Sequence, residues 1–291
     1  MHHKKTHALP LAYPFCWKNL ERFDYPLDDH GIPQVDMGRR LGRRYNPITV
    51  AQYGLYNLRN YQSYGKARSF EIAENASQWL LANFREWRSG IGAWVYDFAL
   101  PFYGPKAPWI SGMAQAQGIS LLLRIGQVTN KDVLLDISHR AFRAFVHPVA
   151  DGGVASCFPD GALVFEEFPT TPPSLVLNGH MFALLGITEY ATFWQDKQAA
   201  ELFEVAVQGL KKNLGRYDTG YWNLYDLHPT GRLASPMYIK VHIQLLEILA
   251  NLSGENVFLE VSRKWRRYLD SPVDRIRWLI NKVIEKIRLR F

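Results

Sequence analysis

Only two cysteines, Cys16 and Cys157, occur in 291 residues, far apart and without a histidine or a second pair at ligand spacing. That scarcity argues against a thiolate metal site and a disulfide framework. No metal is expected, and the cysteine usage fits a reducing compartment. No stretch approaches the roughly 18 uninterrupted apolar residues of a membrane span. The opening run MHHKKTHALPLAYPF is broken by Pro10 and Pro14, so it predicts neither a signal peptide nor an anchor. A cytoplasmic protein is expected, at most peripheral to a membrane. No GxGxxG loop is present, which argues against a dinucleotide; no cofactor is expected.

The net charge of +7 is not spread along the chain. Residues 263–291 hold ten Lys/Arg against three Asp/Glu, so the rest is balanced and a nucleic-acid partner is not expected. Within that segment Ile276, Leu279, Val283 and Ile287 recur at helical spacing, predicting a basic amphipathic C-terminal helix over 271–291. The expectation is that it packs on the body with a solvated basic face. Docking to an acidic membrane surface or a partner is the alternative, and a homodimer is left open.

What is plentiful is apolar surface: 47% hydrophobic and 14% aromatic residues are enough for a sizeable core. Four low-charge segments recur about 60 to 70 residues apart. They are NPITVAQYGLYNL from Asn46, PWISGMAQAQGISLLLRI from Pro108, SLVLNGHMFALLGITEYA from Ser174 and SPMYIKVHIQLLEILANL from Ser235. Each is followed by a more charged segment with apolar residues at i, i+3, i+4, i+7 spacing, the mark of a helix with one face in water. Apolar helices therefore form an inner ring and amphipathic helices an outer one. The predicted fold is all-α dominated, an incomplete α/α toroid of about four helix pairs over residues 44–270. Its inner helices begin near residues 47, 109, 177 and 238. The stretches Trp87 to Pro108, Asp151 to Pro173 and Tyr217 to Pro236 carry turn signals beside β-prone runs, predicting short hairpins or long loops at one end, the mouth of a cleft. An open groove is expected along one side, with residues 1–43 as an extended arm around the ring.

Chemistry-bearing residues gather in those loops. Glu166 and Glu167 are adjacent, so in an extended strand one faces the cleft and the other water. Adjacent acids cannot straddle a glycosidic bond as hydrolase carboxylates do. Tyr225 and Tyr238 bracket the entry to the fourth inner helix, with Tyr238 in its first turn, where the helix N-terminus favours a phenolate. Arg39, Arg40, Arg43 and Arg44 precede Tyr45 and the first inner helix; they form either a solvated patch or a clamp for carboxylates.

In this order, from about Arg44 to Leu269, the segments NPITVAQYGL, PWISGMAQAQGIS, EEFPTTPPSLVLNGHMFALLGI and YDLHP, with the Tyr238, His242, Ile243 spacing, resemble the C-terminal domain of the D-glucuronyl C5-epimerases. These enzymes convert glucuronate to iduronate within a polysaccharide such as heparosan. The resemblance implies an incomplete α/α barrel, a uronate-containing polysaccharide or oligosaccharide as partner, and isomerase chemistry without a cofactor. It implies that Glu167 is the acid/base glutamate, Tyr238 the late catalytic tyrosine, and Tyr225 the tyrosine of a Tyr-Asp-Leu-Arg motif. Tyr45 stands one position from the family's tyrosine before the proline. Arg44, Lys240 or His242 is expected to hold the substrate carboxylate, and Gln117, Asn178 and His228 are further candidate substrate contacts. Phe168 stands where the family has tyrosine and His228 where it has arginine, so an altered sugar-contacting shell is expected. A uronate lyase working through the same carbanion and a non-catalytic glycan-binding or assembly protein are the alternative readings.

Overall fold

The computed structural model describes residues 7–18, 20, 23–88, 90–100 and 103–288. The remaining parts of the predicted arm and of the predicted C-terminal helix lie outside the described residues. The inner helices are α1 (Pro47–Tyr64), α3 (Gly112–Thr129), α5 (Leu177–Trp194) and α7 (Pro236–Ser253). Each is followed by an outer partner: α2 (Ala67–Ala82), α4 (Asp132–Phe142), α6 (Lys197–Asn213) and α8 (Asn256–Asp270). A further helix, α9 (Pro272–Arg288), leans on α8. The helix-pair toroid is thus the architecture, and its inner helices start within a few residues of the expected positions.

Local chemistry fixes those starts. Asn46 accepts the Ile48 N–H at 3.0 Å and Pro47 pre-sets the first turn of α1. Ser111 accepts from Ala114 N–H at 3.3 Å, and Ser235 from Tyr238 N–H at 3.2 Å ahead of Pro236. The ends of α1 and α7 rest on Gly65 and Gly254, with φ of 64° and 75°, a region open to glycine at no steric cost. Inner helices are apolar nearly all round because neighbours cover every side: α1 packs on α3, α3 on α5 and α5 on α7, with the outer helices behind.

Short strands fill the connections. In the first, β3 (Phe84–Arg88) pairs antiparallel with β4 (Ile91–Tyr96), Phe84 opposite Trp94, and β4 pairs with β5 (Trp109–Ile110). In the second, β6 (Ala155–Cys157) pairs with β7 (Leu163–Phe165), Ala155 opposite Phe165. The third, before α7, has only isolated bridges, Asp218 to Asn223 and Leu224 to Leu233. Ahead of α1, the two-residue strands β1 (Val35–Asp36) and β2 (Arg43–Arg44) make one more hairpin.

The side expected to stand open is occupied. His7 N–H donates to Phe193 O at 3.0 Å, and Leu9 exchanges two hydrogen bonds with the Gln127 side chain. The Arg59 guanidinium of α1 donates to Tyr13 O at 2.5 Å, and Gln244 of α7, with its amide turned to match, pairs with both backbone groups of Cys16. Residues 13–17 therefore bridge α1 to α7, with Phe15 edge-on to Phe182 at 5.0 Å. The gap in the ring becomes a walled cavity because Tyr13, Phe15 and Trp17 bury their rings there. Beneath it, Arg124 and Glu189 form a buried two-pronged pair at 2.8 and 2.7 Å, with Arg124 also over the Tyr13 ring.

The C-terminal helix departs from expectation in its orientation. Ile276, Leu279, Val283 and Ile287 were expected to face the body, yet all four are exposed. Trp278, Lys282 and Glu285 make the attachment instead, through Ala234 O, Leu233 O and Leu233 N–H. Directional hydrogen bonds to the loop backbone, which at Leu233 has these partners alone among the hydrogen bonds seen, set which face turns inward.

Candidate active site

Glu166 and Glu167 follow β7, and their backbone is pinned on both sides. Glu166 N–H donates to Val154 O and its carbonyl accepts from Gly112 N–H, each at 2.9 Å. Their side chains then part company. Glu166, 1% exposed, accepts from Ser174 N–H and Leu175 N–H at 3.1 Å and from the Ser174 hydroxyl. The expectation that one of the pair would face water fails, because Glu166 is consumed in shaping the loop into α5. It holds Leu175 at a φ of 50°, a left-handed conformation that costs a branched residue about 1 kcal/mol or more.

Glu167 is 6% exposed, and its Oε2 has no hydrogen-bond partner. Burial, then the neighbouring Glu166 and Asp226 charges, push its carboxyl up to about 8. It lies against the first turn of α5: a Cβ built on Gly179 would sit 2.5 Å from Glu167 Cβ and 2.6 Å from its Oε2. Glycine is required there by the close approach of the acid. On the reading that Glu167 transfers a proton, Gly179→Ala should lower kcat about tenfold or more, since small displacements of a reacting group are costly. Stability should also fall, by about 1 to 3 kcal/mol for overpacking, less the gain of about 1 kcal/mol in helix propensity. Unchanged turnover, measured beside the thermal midpoint, would remove Glu167 from the reacting position.

Glu167 and Tyr238 line one cavity of about 330 Å³. Asn46, Gln52, Met113, Asn178 and Phe182 complete much of its wall, and Phe15, Trp17 and Val35 close the side left by the ring. Tyr238 also lines an adjoining pocket of about 360 Å³ with Tyr103, Phe168, Tyr225, Arg232 and Lys282. Tyr225 meets Tyr238 edge to face with ring centres 4.6 Å apart. Burial, then the Glu167 charge, hold the Tyr225 phenol well above its ordinary value. Arg232 lies 4.9 Å over the Tyr225 ring and 4.6 Å over Tyr103, and it pairs with Asp226 at 2.9 Å. Burial lowers its guanidinium to about 10, which leaves it charged at neutral pH. Phe168 stacks on Tyr103 at 4.6 Å, and the Tyr103 hydroxyl donates to Asp226 at 2.6 Å.

The structure thus brings Glu167, Tyr238, Tyr225 and Asn178 together, and leaves the Asn178 Oδ1 without a partner. His228 stands at the rim, edge-on to Tyr103 at 5.7 Å. His242 is fully buried behind the tyrosine pair, 2.6 Å from the Asn223 amide through Nδ1. Burial lowers it to about 3, so it is neutral and cannot pair with a carboxylate as a cation. Gln117 is buried in α3 with both amide atoms unpartnered. Gln117, His228 and His242 line neither pocket, and three more residues lie farther from the cavity. Lys240 is exposed on the far side of α7 from Tyr238. The Tyr45 hydroxyl donates to Asp28 at 2.7 Å, and Tyr45 and Arg44 line a different pocket with Trp79, Asn83 and Tyr96.

Sequence reading missed Asn46, which accepts from the Tyr96 hydroxyl at 2.8 Å as well as capping α1. It also missed the Asp226, Arg232 and Tyr103 cluster. The available signal was a charged pair spaced six apart within a turn-rich loop, a weak one. Among the described residues no group of three or more His, Cys, Asp or Glu is placed to hold a metal.

A ring of helix pairs with a buried acid and a tyrosine lining one cavity places the chain among the α/α-barrel proteins. A GH76 alpha-mannanase of Bacteroides thetaiotaomicron superposes with a TM-score of 0.53 over 84% of this chain and 63% of that one, at 11% identity, a likeness of fold alone. Residues 88–267 match the D-glucuronyl C5-epimerase C-terminus family, and the chain belongs to it. A D-glucuronyl C5-epimerase of Caenorhabditis elegans is 32% identical over 177 residues, 55% of this chain and 29% of that protein. An uncharacterized protein of Methanocaldococcus jannaschii is 27% identical over 60% of this chain and 56% of its own length. The chain therefore spans from under a third to about half of these curated relatives.

Proposed function

We propose that the chain inverts C5 of a uronate residue within a polysaccharide, D-glucuronate to L-iduronate in type, with residues 44–270 as the barrel that carries the reacting groups. The observation that carries this reading is the buried Glu167 carboxyl, its Oε2 without a partner, in one cavity with the Tyr238 ring. Inversion at a carbon beside a carboxylate needs a base on one face and an acid on the other. Glu167 as the carboxylate takes the C5 proton, and the electron pair of the broken C–H bond moves into the substrate carboxylate to give an enediolate. The Tyr238 hydroxyl then delivers a proton to C5 from the opposite face, and solvent resets both groups. These transfers need no redox cofactor.

Removing so weakly acidic a proton requires the substrate carboxylate to be neutralised as charge builds on it. Arg232 supports that role through its charge, since it shares a pocket wall with Tyr238 and Tyr225 while Asp226 and the Tyr103 hydroxyl hold it in place. Asn178 adds an amide at the first turn of α5, directly beside Gly179. Incubation with a glucuronate polymer in deuterated water tests the reading. Deuterium at C5 and new iduronate signals by NMR, without absorbance in the unsaturated-uronate band, are expected. Absorbance would mean that the carbanion expels the C4 substituent, a lyase. Neither label nor absorbance across a panel of uronate polymers would leave a glycan-binding protein.

A further inference from the structure

Helix α9 touches the body along one face only. Trp278, Lys282 and Glu285 turn inward, with Trp278 also 5.5 Å from Trp222. On the other side, Val273, Ile276, Leu279, Ile280, Val283 and Ile287 are each between 51% and 72% exposed. At the pitch of an α-helix these six side chains fall within an arc of about 120°, nearly opposite the attached face. Arg275 and Lys286 run along one border of that arc, and Arg277 and Arg288 along the other. All four are exposed.

We propose that α9 seats the protein on an anionic lipid surface, with the aliphatic arc in the acyl boundary and the two basic borders at the headgroups. Shape and charge choose this occupant. The arc is a convex ridge of aliphatic side chains with cations along both edges, the arrangement of helices that lie in a membrane interface. The long stems of Arg and Lys let their charges reach headgroups while the ridge sinks below them. A second copy of the chain would set like borders together, cation against cation. On α9 itself the acids offer little counterweight, since Asp274 lies toward the body and Glu285 is engaged by Lys282 at 2.6 Å; Asp270, at the end of α8, is the one exposed acid among the described residues that flanks the ridge's start. No helix among the described residues is long and apolar enough to cross a membrane, so the contact is one of surface seating. The same helix supplies Lys282 to the pocket that holds Tyr225 and Tyr238. Seating on α9 therefore keeps the pocket within about one helix diameter, about 10 Å, of the lipid.

Co-sedimentation of the full chain with vesicles tests this. The protein should pellet with phosphatidylcholine vesicles carrying about one third phosphatidylglycerol and stay in solution with phosphatidylcholine alone. High salt should weaken the association. The double variant Ile276→Asp with Ile280→Asp should bind about tenfold or more weakly, and Arg275→Glu with Lys286→Glu likewise. These positions are exposed, and an unchanged thermal midpoint will show that the fold is kept. Failure of the parent to bind anionic vesicles, or parent-like binding by both variants, overturns the proposal. So does a parent dimer in sedimentation analysis that Ile276→Asp with Ile280→Asp dissociates without any lipid binding, since the ridge would then be a self-association surface.

Discussion

Replacing Glu167 by Gln should lower the rate of C5 proton exchange by about 10²-fold or more, the size of loss associated with a true acid/base group. Shape is preserved and only basicity is lost, so glycan binding should survive. The parent should also show a distinctive pH profile. Its carboxyl is pushed up to about 8 by burial and the neighbouring acids, and abstraction needs the carboxylate. The kcat/KM should therefore rise tenfold per pH unit below about 8 and level off above it. A flat profile from pH 6 to 9, or parent-like exchange by the Gln variant, would end the assignment.

The same shift makes an opposite prediction for stability. A carboxyl raised from 4.5 in the unfolded chain to about 8 in the fold favours the neutral form when folded. The stability associated with neutral Glu167 is fully present below about pH 4.5 and is lost as pH rises through 8. Glutamine keeps the neutral state at every pH. The inactive variant should thus resist urea better than the parent above pH 8, by on the order of a few kcal/mol, with the gap shrinking to about 1 kcal/mol near pH 5. Urea midpoints at the two pH values measure this. Such a gain on loss of activity is the mark of a group kept at a cost to the fold.

The toroid was legible because its cause is compositional. A helix covered on every side must shed its charges, and four such runs ending near Gly65, Asn130, Gln195 and Gly254 reveal both number and spacing. Residues 7–17 were not legible as the wall of the cavity. Much of their attachment is made by backbone groups, as with His7 to Phe193 and Cys16 to Gln244, and backbone bonds leave no side-chain signature. Glu166 and Glu167 could not be told apart by alternation alone. The distinction comes from Ser174 and Leu175, whose donors turn back on Glu166 across an irregular loop. On α9 the amphipathic pattern was visible, but its facing depends on Leu233 and Ala234 presenting backbone groups to Trp278, Lys282 and Glu285.

Replacing Tyr238 by Phe should separate exchange from inversion. On the proposed mechanism Glu167 removes the proton, and in the variant it can also return a solvent-derived one to the same face. Deuterium should then enter C5 of glucuronate at an appreciable rate while iduronate formation falls by about 10²-fold or more. The ring stays, so the edge-to-face packing on Tyr225 at 4.6 Å persists and the wall of the cavity is kept. Tyr225 lies on the adjoining pocket, its phenol held well above the ordinary range by burial and the Glu167 charge. That makes it a poor substitute donor, and Tyr225→Phe should slow both processes together by disturbing the position of Tyr238. NMR of the two sugars after equal times in deuterated water reads both rates at once. Equal losses of exchange and inversion in Tyr238→Phe would instead mean that one group serves both faces, and the two-base assignment would have to be abandoned.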